Sequence, residues 1–176
     1  MGEFDVVVIG GGSGGSAVAG RLAESGKTVC LLEAGGRNTG LRVTTPGLFA
    51  VPNPGANYMY ETVPQMGLNG RTGYQPRGKG LGGSSAINAM VYIRGNRWDY
   101  DNWAALGCTG WAYDDVLPHF KQAEHNTRGE SEYHGAAGPL WVSDQHYANP
   151  ASLAFVEAAA QLQLPRNDDF NGARQE

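Results

Sequence analysis

Gly10-Gly11-Gly12-Ser13-Gly14-Gly15 sets three glycines in the order G-x-G-x-x-G. The chemistry this spacing supports is anion binding by the main chain. Gly10 permits a tight turn. Gly12 has no Cβ, so a pyrophosphate can approach the backbone, and Gly15 lets the following helix pack closely on the preceding strand. Ser13 and Gly14 lie where that helix opens, and its free N–H groups and dipole hold phosphates. Glu33 stands 23 residues after Gly10, where a carboxylate accepts hydrogen bonds from ribose hydroxyls and repels a 2′-phosphate, which disfavours NADP. A second glycine block, Pro76–Gly95, carries Gly82 and Gly83 followed by the small Ser84 and Ser85. Backbone of this kind can lie against a flat, phosphate-bearing ligand. Gly26-Lys27-Thr28 imitates the end of a P-loop, but Arg21 stands where that motif needs glycine, and the run follows a helix instead of opening one. These residues leave NAD and FAD both open.

The elements that position the blocks are legible from apolar pattern and punctuation. Asp5–Gly10 is rich in β-branched residues and reads as a strand buried on both faces. Ser13–Ser25 reads as a helix with Gly15, Val18, Ala19 and Leu22 on one small apolar side, ended by Gly26. Thr28–Glu33 is a second strand, so the unit is βαβ and its strands run parallel. Residues 36–76 hold Pro46, Pro52, Pro54, Pro64 and Pro76 and read as an irregular covering segment or oligomer contact, with a plain surface excursion as the alternative. Residues 77–95 form the second binding loop, with Met90–Ile93 a short strand. The remainder reads as mainly helical. Trp98–Leu106 is closed by Gly107. A helix capped by Asp114 runs to about His125, with Val116 and Phe120 on one face. Asn149 and Pro150 open another, with Leu153, Val156 and Ala160 inward and Pro165 as its stop. The fold class is α/β, a partial Rossmann-like domain followed by mainly helical segments.

Composition removes whole classes of function. The 27 glycines among 176 residues follow no G-x-y period, so collagen is excluded, and 41% hydrophobic with 17% charged residues fits a globular chain. The formal net charge is −4 and the basic residues are scattered, so neither a nucleic-acid footprint nor a polybasic membrane segment is expected. The partner expected is a small molecule or another protein. Apolar runs stay well short of a membrane span, and the N-terminus lacks the pattern of a secretory signal, so the expected compartment is the cytoplasm. Cys30 and Cys108 read as buried thiols in a reducing compartment. No metal site is expected from them or from His119, His125, His134 and His146.

The second block, from Pro76 through Gly82-Gly83-Ser84-Ser85-Ala86-Ile87-Asn88 to Gly95, resembles the N-terminal signature of the glucose–methanol–choline (GMC) family of FAD-dependent alcohol oxidoreductases. So do the Asp5–Gly15 fingerprint, Leu32–Gly35, Trp98–Trp103, Gly110–Lys121, His134-Gly135 with Gly138–Leu140, and Asp169–Gly172. Nearly the whole chain takes part, and within the family it looks most like the bacterial choline-dehydrogenase-like enzymes. The resemblance implies FAD as cofactor, contacted by Gly10, Gly12, Ser13, Gly14, Gly15, Glu33 and Ala34, and by Gly82, Gly83 and Ser84. Asn88, Ala89 and Val91 are implied near the flavin end, and Arg77 and Lys79 lend positive charge or are simply solvated. Some members attach FAD through a histidine beside the asparagine; Ile87 stands there, so noncovalent FAD is expected. The implied reaction passes hydride from a primary alcohol to flavin N5 while a histidine takes the hydroxyl proton, with oxygen or quinone as the final acceptor. None of the four histidines matches that catalytic position, and no catalytic residue is assigned. Residues 1–150 are read as the N-terminal part of the FAD-binding domain and 151–176 as the start of a substrate-domain segment. The chain is expected to be an N-terminal portion, inactive alone, with the catalytic histidine beyond Glu176 or on a companion chain. The alternatives are a non-catalytic FAD- or ADP-binding module and an unrelated NAD-dependent dehydrogenase.

Overall fold

The computed structural model describes residues 2–175. It forms two compact units, Met1–Val91 and Tyr92–Glu176. The boundary between these units falls inside the stretch 77–95.

Unit 1 is built on β1 (Val6–Ile9), α1 (Ser13–Glu24) and β2 (Val29–Leu32). β1 and β2 pair in parallel, with Val6 opposite Val29 and Ile9 opposite Leu32. The intervening helix returns the chain to its starting end, which forces that direction. Gly26 closes α1 as expected: it takes φ +84°, its N–H donates to Ala23 O at 3.0 Å, and Lys27 N–H donates to Leu22 O at 3.1 Å. Only glycine adopts that conformation cheaply. The expected double burial of β1 is not found. Val6 and Val8 are half-buried, while Val7 and Ile9 are 53% and 85% exposed. A two-stranded sheet carrying one helix covers one face, and among the described residues nothing covers the other.

Residues 36–76 are more ordered than the proline pattern suggests. They contain α2 (Leu41–Thr44) and 3₁₀ turns at Pro46–Leu48 and Met66–Leu68. They also contain β3 (Tyr60–Glu61) and β4 (Tyr74–Gln75), paired antiparallel with Tyr60 opposite Gln75. Elements this short carry no readable period. The strand expected over Met90–Ile93 is absent. Asn88 Oδ1 accepts the Met90 N–H at 2.9 Å and Met90 takes φ +60°, so an Asx turn replaces the extended run.

Unit 2 holds α3 (Arg97–Ala105), α4 (Tyr113–Ala123), β5 (Glu124–Asn126), β6 (Leu140–Val142) and α5 (Pro150–Gln161). Asn96 caps α3, accepting the Trp98 N–H at 2.9 Å, while Asp99 accepts the Asn96 N–H at 2.9 Å. Gly107 ends it at φ +104°. The N-cap of α4 is Ala112 rather than Asp114; Asp115 supplies the acceptor, 3.1 Å from the Ala112 N–H. Tyr113 and Val116 are buried and Phe120 is half-buried. After Ala123 the chain straightens into β5, which pairs in parallel with β6, a ladder the helical reading omitted because each strand has three residues. Asn149 and Pro150 open α5 as expected, Asn149 accepting the Ala151 N–H at 2.9 Å. That helix ends at Gln161, before Pro165, and Leu153 and Val156 are exposed instead of inward. Burial of such a face needs an overlying element, and unit 2 places none there among the described residues. Cys108 is exposed and Cys30 half-buried, so the expectation of two buried thiols fails. Among the described residues no helix is long and apolar enough to cross a membrane.

Candidate functional site

The turn from β1 into α1 sorts the fingerprint glycines into two kinds. Gly10 takes φ +96° and its N–H donates to Leu32 O at 2.7 Å. A Cβ on Gly15 would run into the Gly10 carbonyl oxygen, so Gly15 is needed for packing. By contrast, a Cβ on Gly12 would meet only Gly83 Cα at 3.9 Å, and one on Gly14 would meet nothing within 4 Å. Gly12 and Gly14 therefore border open space. Gly12 is the N-cap of α1, no side chain caps it, and no acid lies in the first turn. The opening amides, which a helix cannot satisfy internally, and the positive dipole end remain available to an anion. Ser13 opens this helix and is exposed.

The second glycine block docks on the first. Gly82 N–H donates to Gly11 O at 2.8 Å and Leu81 N–H to Gly36 O at 2.9 Å. Gly82 and Gly83 take φ +90° and +50°, leading into a 3₁₀ turn at Gly83–Ala86. A Cβ on Gly83 would come within 2.7 Å of Gly12 Cα. The exposed Ser84 hydroxyl accepts the Gly78 N–H at 3.1 Å. Ser85, outside the candidate set, bridges the blocks, its Oγ 2.5 Å from Ser13 Oγ.

Glu33 lies where the blocks meet. Its Oε2 accepts the Gly11 N–H at 2.6 Å, and its Oε1 accepts the Gly35 N–H at 3.0 Å and the Gly80 N–H at 2.9 Å. The Gly35 amide first, then that of Gly11, holds this carboxyl below the ordinary glutamate range against the opposing effect of desolvation. Of the roughly four lone-pair sites of a carboxylate, three are taken, and one on Oε2 is left for an outside donor. That suits one ribose hydroxyl rather than two.

Ala34 follows Glu33 and is exposed. Asn88 lines an apolar cleft of about 600 Å³ within unit 1, together with Phe49, Met59, Tyr74 and Ile87. Ala89 and Val91 are exposed and do not line that cleft. Arg77 donates to the Pro76 carbonyl at 2.6 Å, and Lys79 Nζ sits 5.4 Å from the Tyr58 ring centre, so both cations are engaged locally. Gly35, Gly78 and Gly80 were not candidates. A Cβ on Gly35 would collide with the Gly80 backbone, and one on Gly78 with the Gly83 carbonyl. Their sequence signal was membership of the Leu32–Gly35 and Pro76–Gly95 stretches that carry the resemblance, with no residue-level role attached.

Unit 2 contains a buried polar cluster. Arg94 Nη2 pairs with Glu124 Oε2 at 2.7 Å, with side chains 3% and 0% exposed. Asn126 Nδ2 donates to Glu124 Oε1 at 3.0 Å, and the Gly135 N–H donates to Oε2 at 3.2 Å. His134 Nδ1 lies 3.0 Å from Glu124 Oε1, and its Nε2 lies 2.8 Å from Asp169 Oδ2. Burial pushes the Glu124 carboxyl up; the Asn126 and His134 hydrogen bonds, the Gly135 amide and the Arg94 charge outweigh it and hold it down. Asp169 is held low in the same way, its burial overcome chiefly by the hydrogen bond from His134. His134 thus bridges the Glu124 and Asp169 carboxylates through its two ring nitrogens. His119 and His146 are exposed, and His125 stacks on Trp141 with ring centres 4.4 Å apart. Among the described residues no three His, Cys, Asp or Glu side chains group to hold a metal ion.

Residues 4–176 match the family model for "GMC oxidoreductase". Oxygen-dependent choline dehydrogenase of Rhizobium etli (strain CIAT 652) is 46% identical over 99% of this chain, and that of Pseudomonas fluorescens (strain SBW25) is 48% identical over 99%. The chain spans 32% of the length of each of these curated relatives. Among solved structures, pyridoxine 4-oxidase from Mesorbium loti matches 96% of the chain with a TM-score of 0.90 and 36% identity, over 34% of its own length. Formate oxidase from Aspergillus oryzae RIB40 matches 97% with a TM-score of 0.85 and 28% identity, over 32% of its own length.

Proposed function

The chain belongs to the GMC oxidoreductase family, and from that premise we propose that unit 1 binds FAD noncovalently as the N-terminal portion of an alcohol oxidoreductase. The observation that carries this reading is the docking of the two glycine blocks, with Gly82 N–H on Gly11 O at 2.8 Å beside an uncapped helix start. The residues fit the group. Open space in front of Gly12 and Gly14 admits a pyrophosphate to the free amides of α1. The remaining lone pair of Glu33 accepts a ribose hydroxyl, and its charge rejects a 2′-phosphate. Gly82, Gly83 and Ser84 keep the second block flat beside that position, and Ala34 borders it. Asn88 extends toward the ring end along the apolar cleft, with Ala89 and Val91 following it in the chain. Ile87 has no nucleophilic atom, so no covalent attachment forms there.

Bound FAD supplies the two-electron acceptor for oxidation of a CH–OH group. The substrate class is a small primary alcohol, in keeping with relatives named for choline and pyridoxine; the final acceptor is oxygen or quinone. Residues 1–91 include no histidine, and the group that takes the hydroxyl proton is proposed to lie outside them, in the longer protein or on a companion chain. Residues 1–150 would belong to the cofactor domain and 151–176 to the start of the substrate side. The test is titration with FAD followed by denaturation. Expected are a flavin band on the protein, full release of the flavin on unfolding, and no bleaching by alcohol. Flavin retained after unfolding would refute the noncovalent assignment, and no FAD uptake would refute the binding role.

A further inference from the structure

We propose that Glu33 is a positioning residue that docks the second glycine block onto the first before any cofactor arrives. This rests on the cofactor reading above, because it concerns how that site is assembled. The carboxylate joins amides from three separate segments: Gly11 of the first block, Gly35 of the loop after β2, and Gly80 of the second block. Gly11 and Gly80 are buried. The other ties at this junction are neutral: Gly82 N–H to Gly11 O, Leu81 N–H to Gly36 O, Asn38 Nδ2 to Leu81 O at 2.9 Å, and the Ser13–Ser85 hydroxyl pair. Hydrogen bonds to an ionised acceptor are roughly twice as strong as neutral ones, so the Gly80 N–H to Glu33 bond is the strongest one holding Gly80–Gly82 in place. The backbones it joins are in direct contact, since a Cβ on Gly35 would strike the Gly80 nitrogen. A glutamine at this position offers one acceptor oxygen instead of two and turns an NH₂ toward main-chain N–H groups, donor against donor.

A role confined to the ribose makes a different forecast. In that case Glu33 acts only when FAD is present, and the cofactor-free protein is indifferent to it. The positioning role acts without FAD and has a spectroscopic signature. One carboxylate accepts from Gly11, Gly35 and Gly80, so their amide resonances move together as it is protonated. The main-chain amides of Gly35, Gly11, Gly80 and Ala34 are the hydrogen-bond donors that hold this carboxyl low.

The experiment is amide exchange and a pH titration by two-dimensional NMR on the cofactor-free chain, with Glu33→Gln and, separately, Gly35→Ala. Gly35→Ala leaves the carboxylate intact and parts the two loops sterically. The expected result is concerted titration of the three glycine amides in the wild type, absent in Glu33→Gln. Exchange at Gly80–Ser85 rises about tenfold or more in Glu33→Gln, the loss of one charge-assisted bond, and rises in Gly35→Ala through the clash with the Gly80 backbone, with β1 and β2 still protected in both. Wild-type exchange at Gly80–Ser85 in Glu33→Gln overturns the proposal, whatever Gly35→Ala does. Weaker FAD binding by Glu33→Gln with unchanged cofactor-free exchange also overturns it and leaves a ribose contact standing. If Glu33→Gln loses β1 and β2 as well, the wild-type titration decides: concerted movement of the Gly11, Gly35 and Gly80 amides, with exchange at Gly80–Ser85 rising as the carboxylate is protonated, sustains the proposal, and its absence overturns it. Concerted titration and raised exchange in a chain that takes up no FAD sustain the positioning role and refute the cofactor reading.

Discussion

Replacing Gly12 and Gly15 by alanine, one at a time, separates a glycine that binds from a glycine that packs. Gly12 takes φ −75° at the N-cap of α1, which alanine also adopts. Alanine is the poorer cap, costing about 0.5–1 kcal/mol. Lower entropy of the unfolded chain returns about 0.4–1 kcal/mol, and the new Cβ meets only Gly83 Cα, at 3.9 Å. The two effects cancel, so cofactor-free stability should stay within about 0.5 kcal/mol of wild type. The same methyl occupies the approach to the α1 amides. Losing one charge-assisted contact of about 1.5–3 kcal/mol weakens FAD binding roughly 10- to 150-fold. For Gly15→Ala the order reverses. Alanine gains about 1 kcal/mol in helix propensity, but its Cβ runs into the Gly10 carbonyl oxygen. Gly10 is itself pinned by its N–H on Leu32 O at 2.7 Å, so the obstacle is backbone that cannot turn aside. Overpacking of about 1–3 kcal/mol, at the upper end here, wins. A net loss of about 1–2 kcal/mol lowers the transition of unit 1 by on the order of 5–10 °C. Calorimetry reads the melt and flavin fluorescence quenching reads the binding. Equal melting of the two variants, or wild-type FAD affinity in Gly12→Ala, would refute the reasoning.

Two further outcomes concern unit 2 and acid. Glu124→Gln leaves the buried Arg94 charge unpaired and should cost about 3–5 kcal/mol. Denaturant unfolding followed by tryptophan fluorescence reports it cleanly, since Trp98, Trp103, Trp111 and Trp141 all belong to unit 2; a change under 1 kcal/mol on this scale would deny the cluster its role. Glu33, Glu124 and Asp169 are all held below their ordinary ranges. Their contribution is complete above the unfolded values, near pH 4, and is lost as the pH falls through the depressed folded values. Stability that is flat from about pH 6 down to pH 2 would contradict those directions.

The punctuation of the fold was legible because each signal is local. Gly26, Gly107 and Asn149-Pro150 end or open helices through the conformations those residues prefer, and the helices end or begin beside them. β5 and β6 were not legible, since three residues show no alternation. Met90 was misread for a related reason: the apolar run looks extended, but one side-chain bond from Asn88 turns it. At the site, the residue types pointed to phosphate and ribose, and Glu33 was singled out by its place after β2. Its partners were not, because Gly11 and Gly80 lie 22 and 47 residues away and only folding brings their amides to one carboxylate. The exposed faces of β1 and α5 show the opposite failure: apolar pattern announces a buried side without saying what buries it.

The most direct measurement is a comparison of FAD and riboflavin binding to the chain and to Gly12→Val. If main-chain amides of the two glycine blocks hold the cofactor by its pyrophosphate and ribose, FAD binds one per chain, riboflavin binds at least about a hundredfold more weakly, and the valine variant loses FAD. Equal affinity for riboflavin and FAD, or undiminished FAD binding by Gly12→Val, would contradict the account.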